Sequence, residues 1–425
     1  MVVLLISLGI CLLLGIPIGY SLGFSSFCYF VLEKPMLLQV LPQRFFAGMD
    51  SYAMIALPLF ILMGLLMNAG GITSRLIDFS LLFVGRFRGG LGAVNVLASM
   101  IFGGISGSSV SDTASVGAVL IPEMQKKGYT AEFASGITVA SSTMGMIIPP
   151  SIPMIIYALI AEESVGKLFL GGVIPGAMIG VLMLGITLGV SYHKKYPREE
   201  ITLTRGEVVD RVKQSLLAVI MPIFVVGVVV FGIATATESS GIAVLYAFVV
   251  GAFIIRNLKF KDVPPLMRDA IMTSANVMII IALSKLYIWI LALEQIPQMV
   301  AAYISGLDMH AFVILLIIDL IILAAGTFID VSPAILLLTP VFLPAMAVLG
   351  VSRIQFGIIL ISGLAVGLVT PPVGMCLNVA SAISKLGIGT IFRGAAPFLL
   401  ANLITLILIT YIPQLCMWLP ALFFD

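Results

Sequence analysis

Apolar runs recur along the whole chain, at residues 2–32, 52–69, 214–235 and 389–412 among others. Each is near or above the roughly 20 residues that a spanning helix needs, so the pattern predicts helices whose solvent is lipid. Polar and helix-breaking residues interrupt it at few places. Backbone groups left unpaired in hydrocarbon are costly, so each interruption needs a structural reason.

Two kinds of interruption occur, each of them twice. The run FGGISGSSVSDTASVG, Phe102 to Gly117, sets glycine, serine, threonine and an aspartate between apolar segments too short for comfortable spans. A re-entrant helical hairpin with its tip near Ser106 to Ser109 explains both the short flanks and the polar tip. Its counterpart is AAGTFIDVSPAIL, Ala324 to Leu336, with Asp330 at the position of Ser108. The second kind is a diproline, Pro149-Pro150 and Pro371-Pro372. Proline removes a backbone donor and leaves carbonyls of the preceding turn without helical partners, which predicts discontinuous helices.

These pairs share one register. A shift of 222 residues places Pro149 and Pro150 over Pro371 and Pro372, Gly172 over Gly394, Pro175 over Pro397, Pro122 over Pro344 and Gly104 over Gly326. A weaker match sets GIPIGYSLG, from Gly15, beside GIATATESSG, from Gly232. A duplicated chain is expected, with a first half at 1–192, a linker at 193–213 and a second half at 214–425. The hairpins would cover about 91–128 and 308–350, and the helix breaks fall at 149–150 and 371–372. EMQKKGY after the first hairpin is basic, while the matching PAMAVLG is followed by no basic residue until Arg353. Opposite sidedness fits an inverted repeat.

Composition agrees with lipid as the solvent: 60% of the 425 residues are apolar and 10% charged, against roughly 25% charged in soluble domains. The first apolar run has no basic leader and no convincing small-residue cleavage site, and is read as a retained membrane segment, either one long tilted helix or two hinged near Pro17. The net charge of +2 and the absence of a basic stripe give no footing for nucleic acid. The basic residues report topology instead. Lys194, Lys195, Arg198, Arg205, Arg211 and Lys213 place the linker in the cytoplasm, with Arg86 and Arg88, Lys126 and Lys127, and Arg256, Lys259 and Lys261 on the same side. Cys11, Cys28, Cys376 and Cys416 stand singly in apolar segments and read as packing residues, not as a metal or disulfide framework.

A hydroxyl-rich tip facing an unwound proline break forms an oxygen cage suited to a small hard cation such as Na⁺, and two halves make two cages. Half-helix N-termini at the same places offer free N–H groups and a positive dipole end to a carboxylate. Small and hydroxyl residues also populate ordinary helix interfaces, the alternative for Ser106 to Ser109; helix capping is the alternative for Asp330. Lys285, Asp319 and Glu238 lie in apolar stretches, free to pair, snorkel or line a passage. His193 and His310 read as loop residues without a proton-relay role. No HExxH and no suitably placed GxSxG occurs, so an intramembrane hydrolase has no support, and no enzyme activity and no cofactor are expected.

The stretches SGSSVSDTASVG, STMGMIIPPSIPMIIY, GTFIDVSPAILLLTPVFLP and GLVTPPVGMCLNVA resemble, in order and over nearly the whole chain, the large membrane subunit of tripartite ATP-independent periplasmic (TRAP) transporters. GIATATESSG resembles a further family segment nearer ATPTEAA, from which Ala236 and Ser239 depart. Asp112 stands where a small or hydroxyl residue is expected, which leaves its role open. The resemblance implies an all-α elevator-type transporter of the bacterial inner membrane. A mobile domain carrying both hairpins would shuttle a small organic anion, a C4-dicarboxylate, sialic acid or relative, with Na⁺ as coupling ion. It further implies a small four-helix membrane partner subunit and a periplasmic substrate-binding protein. Carried over motif by motif, one cation site comprises Ser106, Ser108, Ser109 and Gly145, and the other Gly326, Thr327, Asp330, Gly367 and Thr370. The substrate would lie between the tips, near Ser108, Ser109, Asp330, Pro150 and Pro372. A single-component symporter or antiporter of related fold is the alternative.

Overall fold

Glycine and proline punctuate the apolar runs into helices, beginning with α1 (Val2–Leu13) and α2 (Ile18–Leu32), parted at Gly15 and Pro17. The first apolar run is therefore two helices. The computed structural model describes all residues except 199–204, 308 and 425, so the middle of the linker and the expected first residue of the second hairpin lie outside the described residues. Three further helices follow: α3 (Leu41–Met49), α4 (Ala56–Ala69) and α5 (Ile72–Val84).

Next come α6 (Gly90–Ser106), α7 (Ser109–Lys126), α8 (Ala131–Ser142), α9 (Ile152–Ala161) and α10 (Val165–His193). After the linker, α11 (Arg205–Val230), α12 (Ala236–Val249), α13 (Val263–Leu293) and α14 (Ile296–Gly306) lead to a second series. That series is α15 (Ala311–Phe328), α16 (Val331–Val348), α17 (Arg353–Gly367), α18 (Met375–Ser384) and α19 (Ile388–Tyr411), with α20 (Gln414–Phe424) last. Helices α6 to α10 start at Gly90, Ser109, Ala131, Ile152 and Val165; α15 to α19 start at Ala311, Val331, Arg353, Met375 and Ile388, shifts of 221 to 223 residues. Both diprolines carry a cis bond. Among the described residues, eight helices are long and apolar enough to cross a membrane, and α6, α9, α17 and α18 are among the shorter apolar ones.

Helices α6 and α7 form a helix–turn–helix whose two outer ends meet one loop. At the start of α6 the Gly89 N–H donates to the Pro197 carbonyl (3.0 Å). Beyond α7, Tyr129 stacks on Tyr196 with centroids 4.7 Å apart, and the Thr130 and Tyr196 hydroxyls lie 2.8 Å apart. The basic loops around 86–88 and 195–198 thus lie together, Arg198 Nε donating to the Arg86 carbonyl at 2.6 Å, as the shared sidedness of their charges predicts. The outer ends of α15 and α16 meet the end of α19 and the start of α20: Tyr411 donates to the Phe312 carbonyl (3.0 Å), and Ser352 bonds Met417 Sδ (3.2 Å). His310 caps α15, its Nδ1 accepting from the Phe312 N–H, and His193 ends α10. Both histidines belong to helix ends rather than loops.

The halves meet where α8 crosses α19. A Cβ on Gly136 would fall 2.5 Å from the Ala395 nitrogen, with the Gly394 backbone against it. Only glycine permits that approach, and close backbone contact is what binds helices where lipid offers no hydrophobic drive. Buried polar pairs brace the same block: Asn95 Nδ2 donates to Thr138 (2.6 Å), Ser141 donates to Asn95 Oδ1 (3.1 Å), and Thr143 donates to Asn402 Oδ1 (3.0 Å). Gly136→Ala is expected to destabilise the protein by about 1–3 kcal/mol through overpacking, whereas Gly185→Ala, open within 4 Å, is neutral. Melting curves of both variants in detergent check this.

Candidate functional site

The tip between α6 and α7 turns at Gly107, whose φ of +62° suits glycine and whose lack of a side chain lets the Pro150 carbonyl and the Ile152 N–H approach. Ser108 and Asp330 hold equivalent N-cap places before α7 and α16, neither making a side-chain bond to the second or third N–H of its helix. Both tips open into one cavity of about 260 Å³. The first contributes Gly107, Ser108, Ser109 and Val110, the second Asp330, Val331 and Ser332. Ile152 and Pro153 of α9 and Met375 of α18 complete it, with Met146, Leu368 and, from α13, Thr273 and Val277.

Four helices therefore begin at this cavity: α7, α9, α16 and α18, two from each half. Each N-terminus carries about half a positive charge, although α9 keeps no free N–H there: Ile152 donates to the Gly107 carbonyl and Met154 to Ser151 Oγ, each at 3.4 Å, and Pro153 has none. Four convergent ends with hydroxyls beside them favour an anion. The one carboxylate lining the cavity is Asp330, which is exposed to it.

Below the first tip the expected residues divide. Ser109 Oγ lies 3.0 Å from Ser142 Oγ and 3.2 Å from Cys376 Sγ, joining the first tip to the start of α18. Cys376 thus packs at the site. Ser106 donates to Asp112 Oδ1 in a short hydrogen bond and accepts from the Ser108 N–H at 3.1 Å. Asp112 is fully buried, and its Oδ2 has no hydrogen-bond partner. That oxygen rests against Gly145, where any Cβ would collide with it. Ser106, Asp112 and Gly145 are one cluster. Sequence reasoning left Asp112 undecided, although an ionisable residue at membrane depth is itself a signal.

In the second half, Gly367 packs backbone to backbone on Gly326, as Gly145 packs on Gly103. Thr327 donates to the Ala324 carbonyl and Thr370 to the Val366 carbonyl, each at 2.8 Å. Their oxygens keep acceptor lone pairs for a further ligand. Pro150 is buried behind the first tip and Pro372 is exposed; neither lines the cavity. Glu238 closes a capping box with Thr235 at the start of α12, and Asp319 accepts from Thr410 at 2.9 Å, both away from the cavity. No group of three His, Cys, Asp or Glu capable of holding a metal occurs among the described residues.

An all-helical membrane protein with two interrupted helix pairs around an anion-favouring cavity defines a transporter, and comparison with known proteins agrees. Residues 5–415 match the family model described as the tripartite ATP-independent periplasmic transporter, DctM component. The chain is 36% identical to the C4-dicarboxylate TRAP transporter large permease protein DctM of Pseudomonas aeruginosa, over 94% of this chain and 93% of that one. It is 34% identical to the sialic acid TRAP transporter large permease protein SiaM of Vibrio cholerae, over 96% of each. Among solved structures, the MtrF protein of Neisseria gonorrhoeae superposes with a TM-score of 0.64 at 15% identity, over 92% of this chain and 85% of that one, a likeness of fold alone. The chain belongs to the DctM family: it is the large membrane subunit of a TRAP transporter, a multi-pass protein of the bacterial inner membrane and not an enzyme.

Gly145→Ala drives a methyl onto Asp112 Oδ2. Uptake by this variant is expected to fall at least tenfold while size-exclusion profiles stay unchanged, since the collision is local to one cluster.

Proposed function

We propose that this chain imports a small organic anion, a C4-dicarboxylate, sialic acid or related carboxylate, by Na⁺-coupled transport. The observation that carries the reading is the convergence of four helix N-termini on one cavity between the two tips. A carboxylate there meets N–H donors from both halves and the hydroxyls of Ser108 and Ser109. Asp330 would repel a bare anion, so a cation must accompany the substrate.

Two oxygen clusters answer that need. Ser106, Asp112 and Gly145 offer the orphaned Asp112 Oδ2 for one Na⁺. Gly326, Thr327, Gly367 and Thr370, with Asp330 at the tip, offer hydroxyl and backbone oxygens for a second. Na⁺ suits such ligands because it is hard and accepts neutral oxygen. Bound Na⁺ neutralises Asp330 and strengthens the cavity's pull on the anion, which is coupling in its simplest form.

The driving force suffices. Each Na⁺ yields about 2.3 kcal/mol per 100 mV, and a tenfold gradient adds about 1.4 kcal/mol. The two helix pairs are read as re-entrant hairpins of an inverted repeat, with feet on opposite membrane faces: basic residues surround the first pair's clasp at 194–198 and none stands at 411–417. The cavity lies against α13, and its other lining elements except Ile61 of α4 come from the two repeated series. That arrangement suits an elevator, in which the series move as a block past α13. A small four-helix membrane subunit and a periplasmic binding protein complete the transporter. The sialic acid TRAP transporter permease protein SiaT of Haemophilus influenzae supports an added membrane part: this chain covers 97% of its own length but 67% of that relative.

Uptake into proteoliposomes holding this chain and its small partner tests the proposal. Succinate or N-acetylneuraminate is presented by a binding protein, with and without an inward Na⁺ gradient. Uptake is expected to require both the gradient and the binding protein, and to fall at least tenfold in Asp330→Ala. Uptake indifferent to Na⁺ and to the binding protein would instead mark a single-component carrier.

A further inference from the structure

Helix α13 presents Thr273, Val277, Ile281 and Lys285 at four-residue spacing, which sets them on one face. Thr273 and Val277 line the cavity between the tips. Ile281 and Lys285 line a second cavity of about 180 Å³. The other two walls are shared as well. Helix α9 gives Ile152 and Pro153 to the first cavity and Ile156, Leu159 and Ile160 to the second; α16 gives Val331 and Ser332 to the first and Leu336 to the second. The cavities are stacked along one three-helix groove. At 1.5 Å rise per residue, Lys285 lies about 12 Å beyond Val277.

Lys285 is unusual in its surroundings. Its stem packs over Gly48, where a Cβ would lie 3.1 Å from Lys285 Cβ and Cγ. The walls are mostly aliphatic, with Ser51 the hydroxyl among them. Among the described residues Lys285 makes no ion pair within 4.0 Å and no side-chain hydrogen bond. Glu162, at the C-cap of α9, is the carboxylate whose charge reaches it, from beyond ion-pair distance. A half-buried ammonium among aliphatic side chains with no counter-ion within ion-pair distance is costly, and an arriving anion lowers that cost. The position also has a side. The basic residues Arg256, Lys259 and Lys261 precede the start of α13, so Lys285 lies on the far side of the tip cavity from the cytoplasmic charges, where substrate arrives.

We propose that Lys285 and its cavity form a second holding position for the carboxylate of the transported anion, between the periplasmic face and the cavity at the tips. The inference rests on the reading of this chain as an organic-anion importer. It assigns Ser51 to the hydroxyls of the substrate and the aliphatic walls to its carbon body. A single carboxylate is held there in exchange for bulk water, then passed along the α13 face toward four helix N-termini.

Initial uptake rates of succinate or N-acetylneuraminate, whichever the wild type accepts, are compared for wild type, Lys285→Met and Lys285→Arg. Lys285→Met is expected to raise KM at least tenfold with kcat changed less than threefold, and Lys285→Arg to stay within threefold of wild type. Acetylation of Lys285 in the wild-type protein by an N-hydroxysuccinimide ester, read by mass spectrometry, gives a measure independent of transport. The accepted acid is expected to slow it at least threefold. If Lys285→Met does not assemble, this labelling decides alone. An unchanged KM, or labelling unaffected by the acid, overturns the inference and leaves the importer reading standing. Protection by phosphatidylglycerol in place of the acid also overturns it, making the cavity a lipid site. A wild type that takes up neither acid removes the importer reading first, and this inference with it.

Discussion

Everything in this molecule follows from the cost of an unpaired backbone group in hydrocarbon. Long helices such as α10, α13 and α19 meet that cost within themselves. The interrupted ones cannot, and the chain breaks only where the freed groups have somewhere to point. Helices α7, α9, α16 and α18 all begin around one cavity of about 260 Å³, so four positive dipole ends are pooled in a single place. The same constraint explains the glycines beside the breaks. Backbone carbonyls and amides reach one another across Gly103 and Gly145, and across Gly326 and Gly367, only because no side chain intervenes.

The cavity's chemistry differs between its two sides. The first tip offers hydroxyls, with a carboxylate withdrawn beneath them at Asp112; the second places its carboxylate, Asp330, at the surface. Two positions of one register thus serve different electrostatic ends. The Asp330 carboxylate bears directly on whatever occupies the cavity, whereas the Asp112 carboxylate is sequestered by the fold. A duplicated scaffold with unequal tips makes the cavity electrostatically asymmetric.

Much of this was legible in the sequence because lipid simplifies the code. Apolar runs, two diprolines and two polar interruptions located the breaks, and the 222-residue shift recurs between the helix starts of α6 to α10 and those of α15 to α19, which differ by 221 to 223 residues. The tip residues Ser108, Ser109 and Asp330 came together as their motifs suggest. What escaped was whatever depends on which face of a helix is turned inward. Asp112 lies one turn after Ser108, and only the packing of Gly145 against it shows that its free oxygen points into a cluster. Pro150 and Pro372 shape the breaks without lining the cavity, because a residue that bends a chain need not face what the bend creates. Lys285 remained ambiguous for want of any knowledge of its neighbours, since its apolar run is compatible with lipid, protein or a cleft.

The clasp at the foot of the first helix pair has a mechanical consequence. Gly89, Tyr129 and Thr130, from both ends of that pair, hold the single stretch Tyr196–Pro197, and that stretch is also the first part of the tether leading to the second half of the chain. A displacement of that pair as a rigid unit would therefore be felt at the tether. A partner bound at the exposed residues beside it, Lys195 and Arg198, would thus bear on the first pair without entering the cavity between the tips.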